Sequence, residues 1–496
     1  VYQSTYSPST SWTDNYAQGS EIKTYWKSLV TKHDVEKYIQ FNTVVTGAEW
    51  LEEKGRWIVT TIVSGVVHVQ ETDFLITATG HFSSPLLPSY PNMDEYEGHL
   101  RHSSNWDANF DPTGKKIAVI GNGASGIQIV PPLQKVSKSL DHYARSRTWI
   151  AGSFGGENLS RSPEPREVPP QDPEGYLEFR KNLENLSFST FSGIIKGSEK
   201  SRATQQSFEK LMADRLGPRA DLFEAIKPDF SPNCRRVTPG PGYLEALTQP
   251  NVGYITTKID KFTKTGLALV DGTTKEYDAI ICSTGANISY TPVFPIVAHG
   301  TDLQKAWSPT GTIGFPDTYI GMGAPKFPNL IFILGPNSAG LGGTIPNCIE
   351  NQVTWAAKVL RKVSSQGIRS ITPTQEATDD FRAYCDAFFP RTVLSENCRS
   401  WYNGGIPGGR INGIWPGSGT HVNIARREVR WEDFNYTYKS KSGNRFAWLG
   451  NGFSKKDIAA AADPKDPLVD FTPYLKKEAV QGKVDLKAVH ESWFEI

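Results

Sequence analysis

Hydrophobic positions along the chain change their spacing several times, and each change marks an element. Ile22, Tyr25, Trp26, Leu29 and Val30 recur at helical spacing behind Ser20, which predicts an amphipathic helix docked by one face and capped by that serine. The β-rich runs 41–50, 56–62 and 66–70, split by Gly47, Gly55 and Gly65, predict a meander, and 74–79 reads as a buried strand closing on Gly80. A second buried strand, 115–120, runs straight into Gly121-Asn122-Gly123-Ala124-Ser125-Gly126 and a helical pattern to about Lys135; 140–144 is strand-like again. Between 152 and 230 the strand pattern gives way to Pro-rich loops and polar helices (173–186, 200–216). The β-pattern returns at Gly253 and reaches Thr284-Gly285, an echo of Thr79-Gly80. A strand at 329–334 then enters a Gly-rich turn before a helix near 349–363, and the chain beyond Arg426 is polar, Trp-dotted and predicted to be a peripheral wrap.

At roughly 150 residues per domain, 496 residues predict about three domains. Lys plus Arg (53) against Asp plus Glu (52) leaves no global field, which excludes nucleic acid or an anionic membrane surface as a partner. The longest apolar runs, 74–78 and 330–334, are far below the roughly 20 residues that span a bilayer. With 13 Trp, 19 Tyr and 24 Phe, the chain can line a pocket for a carbon-rich ligand. Five scattered cysteines without a C-x-x-C pair argue against a disulfide framework and for a reducing, cytoplasmic setting. His99 and His102 are the only closely spaced histidines and lack Cys or carboxylate partners, so no metal is expected.

The strand, G-x-G-x-x-G turn and helix predict a dinucleotide site. Gly121 permits the tight turn, Gly123 lets amides approach a pyrophosphate, Gly126 lets the helix pack on the strand, and the helix N-terminus adds partial positive charge. About 20 residues on, where an NAD site carries an acid, stand Arg145, Ser146 and Arg147. Basic groups there favour NADP, the alternative being arginines that decorate a solvated strand end.

The stretch Tyr96-Glu97-Gly98-His99-Leu100-Arg101-His102-Ser103-Ser104-Asn105-Trp106-Asp107 resembles the F-x-G-x-x-x-H-x-x-x-W-(P/D) fingerprint of Baeyer–Villiger monooxygenases, with Tyr96 in place of Phe. Ala78-Thr79-Gly80 and Ser283-Thr284-Gly285 are similar to that family's two strand-end motifs. The segment 121–128, with Ser125 and Gln128, resembles its NADP fingerprint, and Arg145 its 2′-phosphate arginine. Residues 398–402 and 415–417 are similar to fungal members of polyketide pathways, including the aflatoxin and sterigmatocystin type that oxidises versicolorone. The resemblance implies FAD and NADP as cofactors, with O2 and a small-molecule ketone as substrates. It implies hydride transfer to the flavin, oxygen addition and attack of the resulting peroxide on the ketone. Arg236 is then the cation facing that peroxide and the nicotinamide, and Arg235 a contact to the 2′-phosphate, although two surface arginines in a turn remain an alternative. His102 and Trp106 are expected to couple the nucleotide domains and position NADP. Trp401 is expected near the nicotinamide ribose, or else as a core residue.

The expected fold is α/β: two dinucleotide-binding, Rossmann-like domains with a helical insertion, the FAD domain being incomplete at its N-terminus. The division is 1–107 for FAD-domain remainder and fingerprint loop, 108–151 and 231–290 for the NADP domain, 152–230 for the insertion, 291–425 for the C-terminal FAD part and 426–496 for an extension. Tyr176, Phe179, Phe188 and Phe191 of the insertion either shape the substrate pocket or pack helices. The family's opening βαβ unit, with its own G-x-G-x-x-G, has no counterpart in the sequence, and truncation of a complete enzyme is the expectation. Oxygenation at nitrogen or sulfur and a non-catalytic NADP-binding remnant are the alternatives; Trp106-Asp107 speaks against the former.

Overall fold

The computed structural model describes residues 2–13, 17–152, 172–463, 465, 469–472 and 475. Residues 153–171 of the expected insertion and most of the expected extension beyond 463 lie outside them. Helix α1 (Gly19–Lys32) forms, but Ser20 is within it, the N-cap is Gln18 without a side-chain bond, and only Tyr25 is buried. The expected docking face is present, with Ile22, Leu29 and Val30 half-buried beside Tyr25, and a polar anchor adds to it: the Tyr25 hydroxyl accepts from Ser4 N–H and donates to the Ser7 carbonyl, both at 2.8 Å.

Strands β1 (Thr43–Leu51), β2 (Arg56–Val63) and β3 (Val66–Thr72) make the antiparallel meander. Trp50 and Trp57 pack there with Trp307 and Phe332. Strand β4 (Leu75–Thr77) pairs in parallel with Leu330–Phe332. Strands β5 (His99–His102) and β6 (Lys116–Ile120), helix α2 (Ala124–Val136) and β7 (Ser139–Tyr143) build the other body. Its five parallel strands run in the order Val252–Ile255, β7, β6, Ala279–Cys282, β5.

The continuous apolar run of β6 follows from burial on both faces of a parallel sheet. Ile117 and Val119 join one core with α2, while Ala118 and Ile120 join another with Phe262 and Leu267. Helices α3 (Pro173–Ser189), α4 (Glu199–Leu216) and α5 (Ala220–Ile226) follow. Met212, Leu216, Leu222 and Ile226 sink into the first of these cores.

Two expectations are corrected. The segment after Arg426 is more than a wrap, because Phe434–Tyr438 pairs with Ile368–Pro373 and Phe434 is buried in a core with Trp355 and Val359. The scattered cysteines do form a bridge: Cys234 and Cys398, 164 positions apart, are disulfide-bonded, and Cys282, Cys348 and Cys385 are free and buried. Spacing could not foretell a bond that tertiary packing makes, and with it the cysteine argument for a reducing compartment falls. Among the described residues no helix is long and apolar enough to cross a membrane.

Candidate functional site

At the C-terminal end of β6 the chain turns at Gly121 (φ +105°), where a Cβ would lie 2.4 Å from the Ser283 carbonyl oxygen. A Cβ on Gly126 would lie 1.9 Å from the Gly121 oxygen, so both glycines are demanded by backbone approach. Gly123 differs: a Cβ there meets nothing within 4 Å, and as N-cap of α2 it supplies no side-chain bond. The first N–H groups of α2 thus have no side-chain cap and the turn is open at Gly123, a fit for an anion such as a pyrophosphate. Ala124 and Ser125 are exposed beside them, and Gln128 folds back onto the Ala124 carbonyl.

Beneath this turn lies His142, a support that sequence reading missed, although its position on β7 directly before the basic strand end is a signal. Its Nε2 donates to the Gly121 oxygen at 3.1 Å, and its Nδ1 accepts from the Tyr243 hydroxyl at 3.1 Å. Full burial pushes its pKa down to about 4, so the ring is neutral.

Arg145 and Arg147 are exposed at the end of β7. The carboxylate of that strand, Asp141, is spent elsewhere, on Lys275 and the Tyr277 hydroxyl. Ser146 gives its carbonyl to Asn122 of the glycine turn. Arg235 is largely buried and donates to Thr148 Oγ1 and, at 3.5 Å, to the Asn122 carbonyl. Arg236 is exposed, without a hydrogen bond or ion pair to any described residue, and its charge acts on the buried Tyr402 phenol.

Tyr402 adjoins an aromatic wall. Trp401 lies 5.7 Å from His81, 5.5 Å from Phe82 and 4.5 Å from Tyr402, ring to ring, and Tyr290 donates to its carbonyl at 3.0 Å. His81 is held by the Leu334 carbonyl, and burial lowers its pKa. Trp401 starts a short helix closed by a Ser400–Asn403 capping box.

The two Thr-Gly echoes lie on neighbouring linkers. Thr284 Oγ1 donates to the Leu86 carbonyl at 2.6 Å, Leu86 N–H to the Gly285 carbonyl at 3.0 Å, and Pro85 bridges Ala286. Gly80 (φ +74°) and Gly285 (φ +93°) would each offer a Cβ nothing within 4 Å, which leaves room for a ligand beside Thr79 and Thr284.

The fingerprint supplies β5, an edge strand of the parallel sheet. Gly98 makes room for the Tyr96 ring, whose hydroxyl donates to the Tyr277 carbonyl at 2.8 Å. His102 is buried; Nδ1 accepts from Ser104, and Nε2, with no partner of hydrogen-bond geometry, faces the Gly285 backbone. Trp106 is 42% exposed and contacts Phe110, away from the aromatic wall. The fingerprint thus brings His102 to the linkers and leaves Trp106 outside.

Of the insertion's aromatics, Tyr176 is tied to Gln3 and Ser9, and Phe188 rests on the Gly342–Gly343 turn. Among the described residues no group of three or more His, Cys, Asp or Glu could hold a metal ion.

The flavin-binding monooxygenase-like family matches residues 4–158. The FAD-binding monooxygenase tazF of Aspergillus terreus is 32% identical over 458 residues, covering 90% of this chain and 80% of that protein. The FAD-binding monooxygenase moxY of Dothistroma septosporum is 30% identical over 485 residues, covering 95% and 75%. A Baeyer–Villiger monooxygenase of Streptomyces coelicolor is 27% identical over 443 residues, covering 87% and 81%. In fold, the chain is similar to cyclohexanone monooxygenase from Rhodococcus sp. Phi1 bound to NADP+, with a TM-score of 0.72, 23% identity and 86% of each chain covered.

Proposed function

Because the chain belongs to the FAD-binding monooxygenases, we propose that it inserts one oxygen atom of O2 beside the carbonyl of a carbon-rich, polyketide-type ketone, using NADPH, to give an ester or lactone. Bound FAD supplies the redox and oxygen-activating chemistry, and NADPH the hydride. Gly123 and the uncapped start of α2 would receive the NADPH pyrophosphate. Exposed Arg145 would pair with the 2′-phosphate, with Ser146 beside it and Arg235 lending charge from beneath the turn.

The parallel strand, glycine turn and uncapped helix start at 116–136 are assigned to NADPH. The flavin contacts are proposed to be Thr79, Gly80, Thr284 and Gly285, with Trp401 near the nicotinamide ribose. His102 positions the linkers at Gly285. Trp106 is proposed to act through the same loop, not at the reacting atoms.

The observation that carries the reading is Arg236, exposed, without a hydrogen bond or ion pair to any described residue, and near enough for its charge to act on Tyr402, which adjoins the aromatic wall. A cation near the reacting carbonyl stabilises the negative charge that develops on the ketone oxygen.

The test is the FAD-loaded protein with NADPH, 18O2 and either polycyclic ketones or a thioether. Ketone-dependent NADPH oxidation with one labelled oxygen in an ester is expected. Sulfoxide without ester would replace this reading by heteroatom oxygenation.

A further inference from the structure

The loop that carries Arg235 and Arg236 has little regular structure of its own; its first ladder contact is Thr238–Pro239 on Ile150–Ala151. Two ties to a distant segment hold it instead. Ser231 donates from its N–H at 2.6 Å and its hydroxyl at 2.9 Å to the two carboxylate oxygens of Glu396. Cys234, fully buried, is bonded to Cys398, which is 1% exposed.

From Cys398 the tie continues to the wall. Its carbonyl accepts from Asn403 Nδ2 at 2.9 Å, and Asn403 closes the capping box around Trp401. On the other side Arg235 is pinned to Thr148 and Asn122 of the nucleotide sheet. Arg236 therefore stands on a seam, with one neighbour anchored to the glycine turn and the next bonded covalently to the segment of Trp401.

We propose that the Cys234–Cys398 bridge, backed by the Glu396–Ser231 clasp, is a positioning device that keeps the loop carrying Arg236 fixed to the segment that carries Trp401 and Tyr402. This rests on the oxygenating reading above. Neither cysteine touches substrate; both act through Arg236. A loop freed at this point leaves the cation misplaced by the ångström or so that matters for a reacting geometry.

Thiol titration of the unfolded chain, isolated under air, reads the bond: three thiols rising to five on reduction are expected, and five at the outset overturn it. In the FAD-loaded Cys234→Ala, Cys398→Ala protein, ester formed per NADPH oxidised should fall roughly 10- to 100-fold, with hydrogen peroxide released instead. Its Kd for NADP should change far less than the coupling, because α2 and Arg145 lie outside the clasp and Arg235 keeps its own bonds to Thr148 and Asn122. A double variant that keeps its coupling overturns the proposal.

Should that variant not fold, Glu396→Gln should retain coupling that Glu396→Ala loses, and equal coupling in the two counts against the clasp. Reduction of the folded enzyme by a trialkylphosphine gives two thiols and a phosphine oxide, its oxygen drawn from water; reoxidation should restore the coupling. Hydrogen exchange over 227–242 and 392–403 decides without turnover. Faster exchange in both segments on losing the bridge is expected, and unchanged exchange overturns the device. If the unaltered protein forms no ester yet exchange responds, the functional reading fails while the mechanical tie stands.

Discussion

Gly126 approaches Gly121 so closely that a methyl group on the first would sit 1.9 Å from the carbonyl oxygen of the second. Nothing stands within 4 Å of the corresponding point at Gly123, three residues earlier. The same short motif thus contains a glycine required by the protein and one whose open side suits a ligand.

Substitution separates the two requirements. Gly126→Ala must push backbone apart and should cost about 1–3 kcal/mol of stability, read by denaturant unfolding. Gly123→Ala, at a φ of −75° that any residue adopts, should change stability by less than about 1 kcal/mol while weakening NADP binding at least about ten-fold. Equal loss of stability in both would remove the argument for a phosphate at this turn.

Arg236 is exposed and makes no hydrogen bond or ion pair with described residues, so Arg236→Ala should leave thermal unfolding unchanged. Ester formation should fall about 10²- to 10³-fold, the scale for losing a group that stabilises developing charge. A residual rate within about two-fold of the parent would assign the cationic role elsewhere.

Arg145 should act on one phosphate. Arg145→Ala is expected to raise the KM for NADPH by about ten-fold or more and to leave the KM for NADH unchanged, since only the former carries the 2′-phosphate. Steady-state kinetics with the two dinucleotides reads the difference, and parallel losses would refute it.

His142 makes stability depend on pH. Its folded pKa is pushed down from 6.5 to about 4, so between those values the unfolded chain binds the extra proton. Its contribution is complete above about pH 6.5 and is lost as pH falls toward 4, amounting to about 3 kcal/mol for this buried ring. Urea unfolding at pH 7.5 and 5 should show a smaller acid loss in His142→Gln, which keeps a donor for the Gly121 carbonyl. An undiminished loss would place the titration on other histidines.

Much of the nucleotide-binding body was legible in the order of residues. Alternation cannot distinguish a doubly buried strand from a buried helix, yet β6 was readable because its apolar run ends on a glycine motif that only a strand–turn–helix satisfies. The fingerprint was legible for the same reason. Gly98 under Tyr96 is a demand between near neighbours, whereas His102 against Gly285 comes from the tertiary packing.

What the sequence by itself determined was local: strand and helix periods, the glycines that turns require, and basic instead of acidic residues after β7. Only the tertiary structure decided which distant groups meet. Cys234 finds Cys398, Ser231 finds Glu396, Trp106 points outward, and the Tyr25 hydroxyl of α1 meets Ser4 and Ser7. The physical reason is that periodicity records how each segment divides between core and solvent. A contact across 164 positions arises only from the packing of whole layers and leaves no regular spacing in the chain.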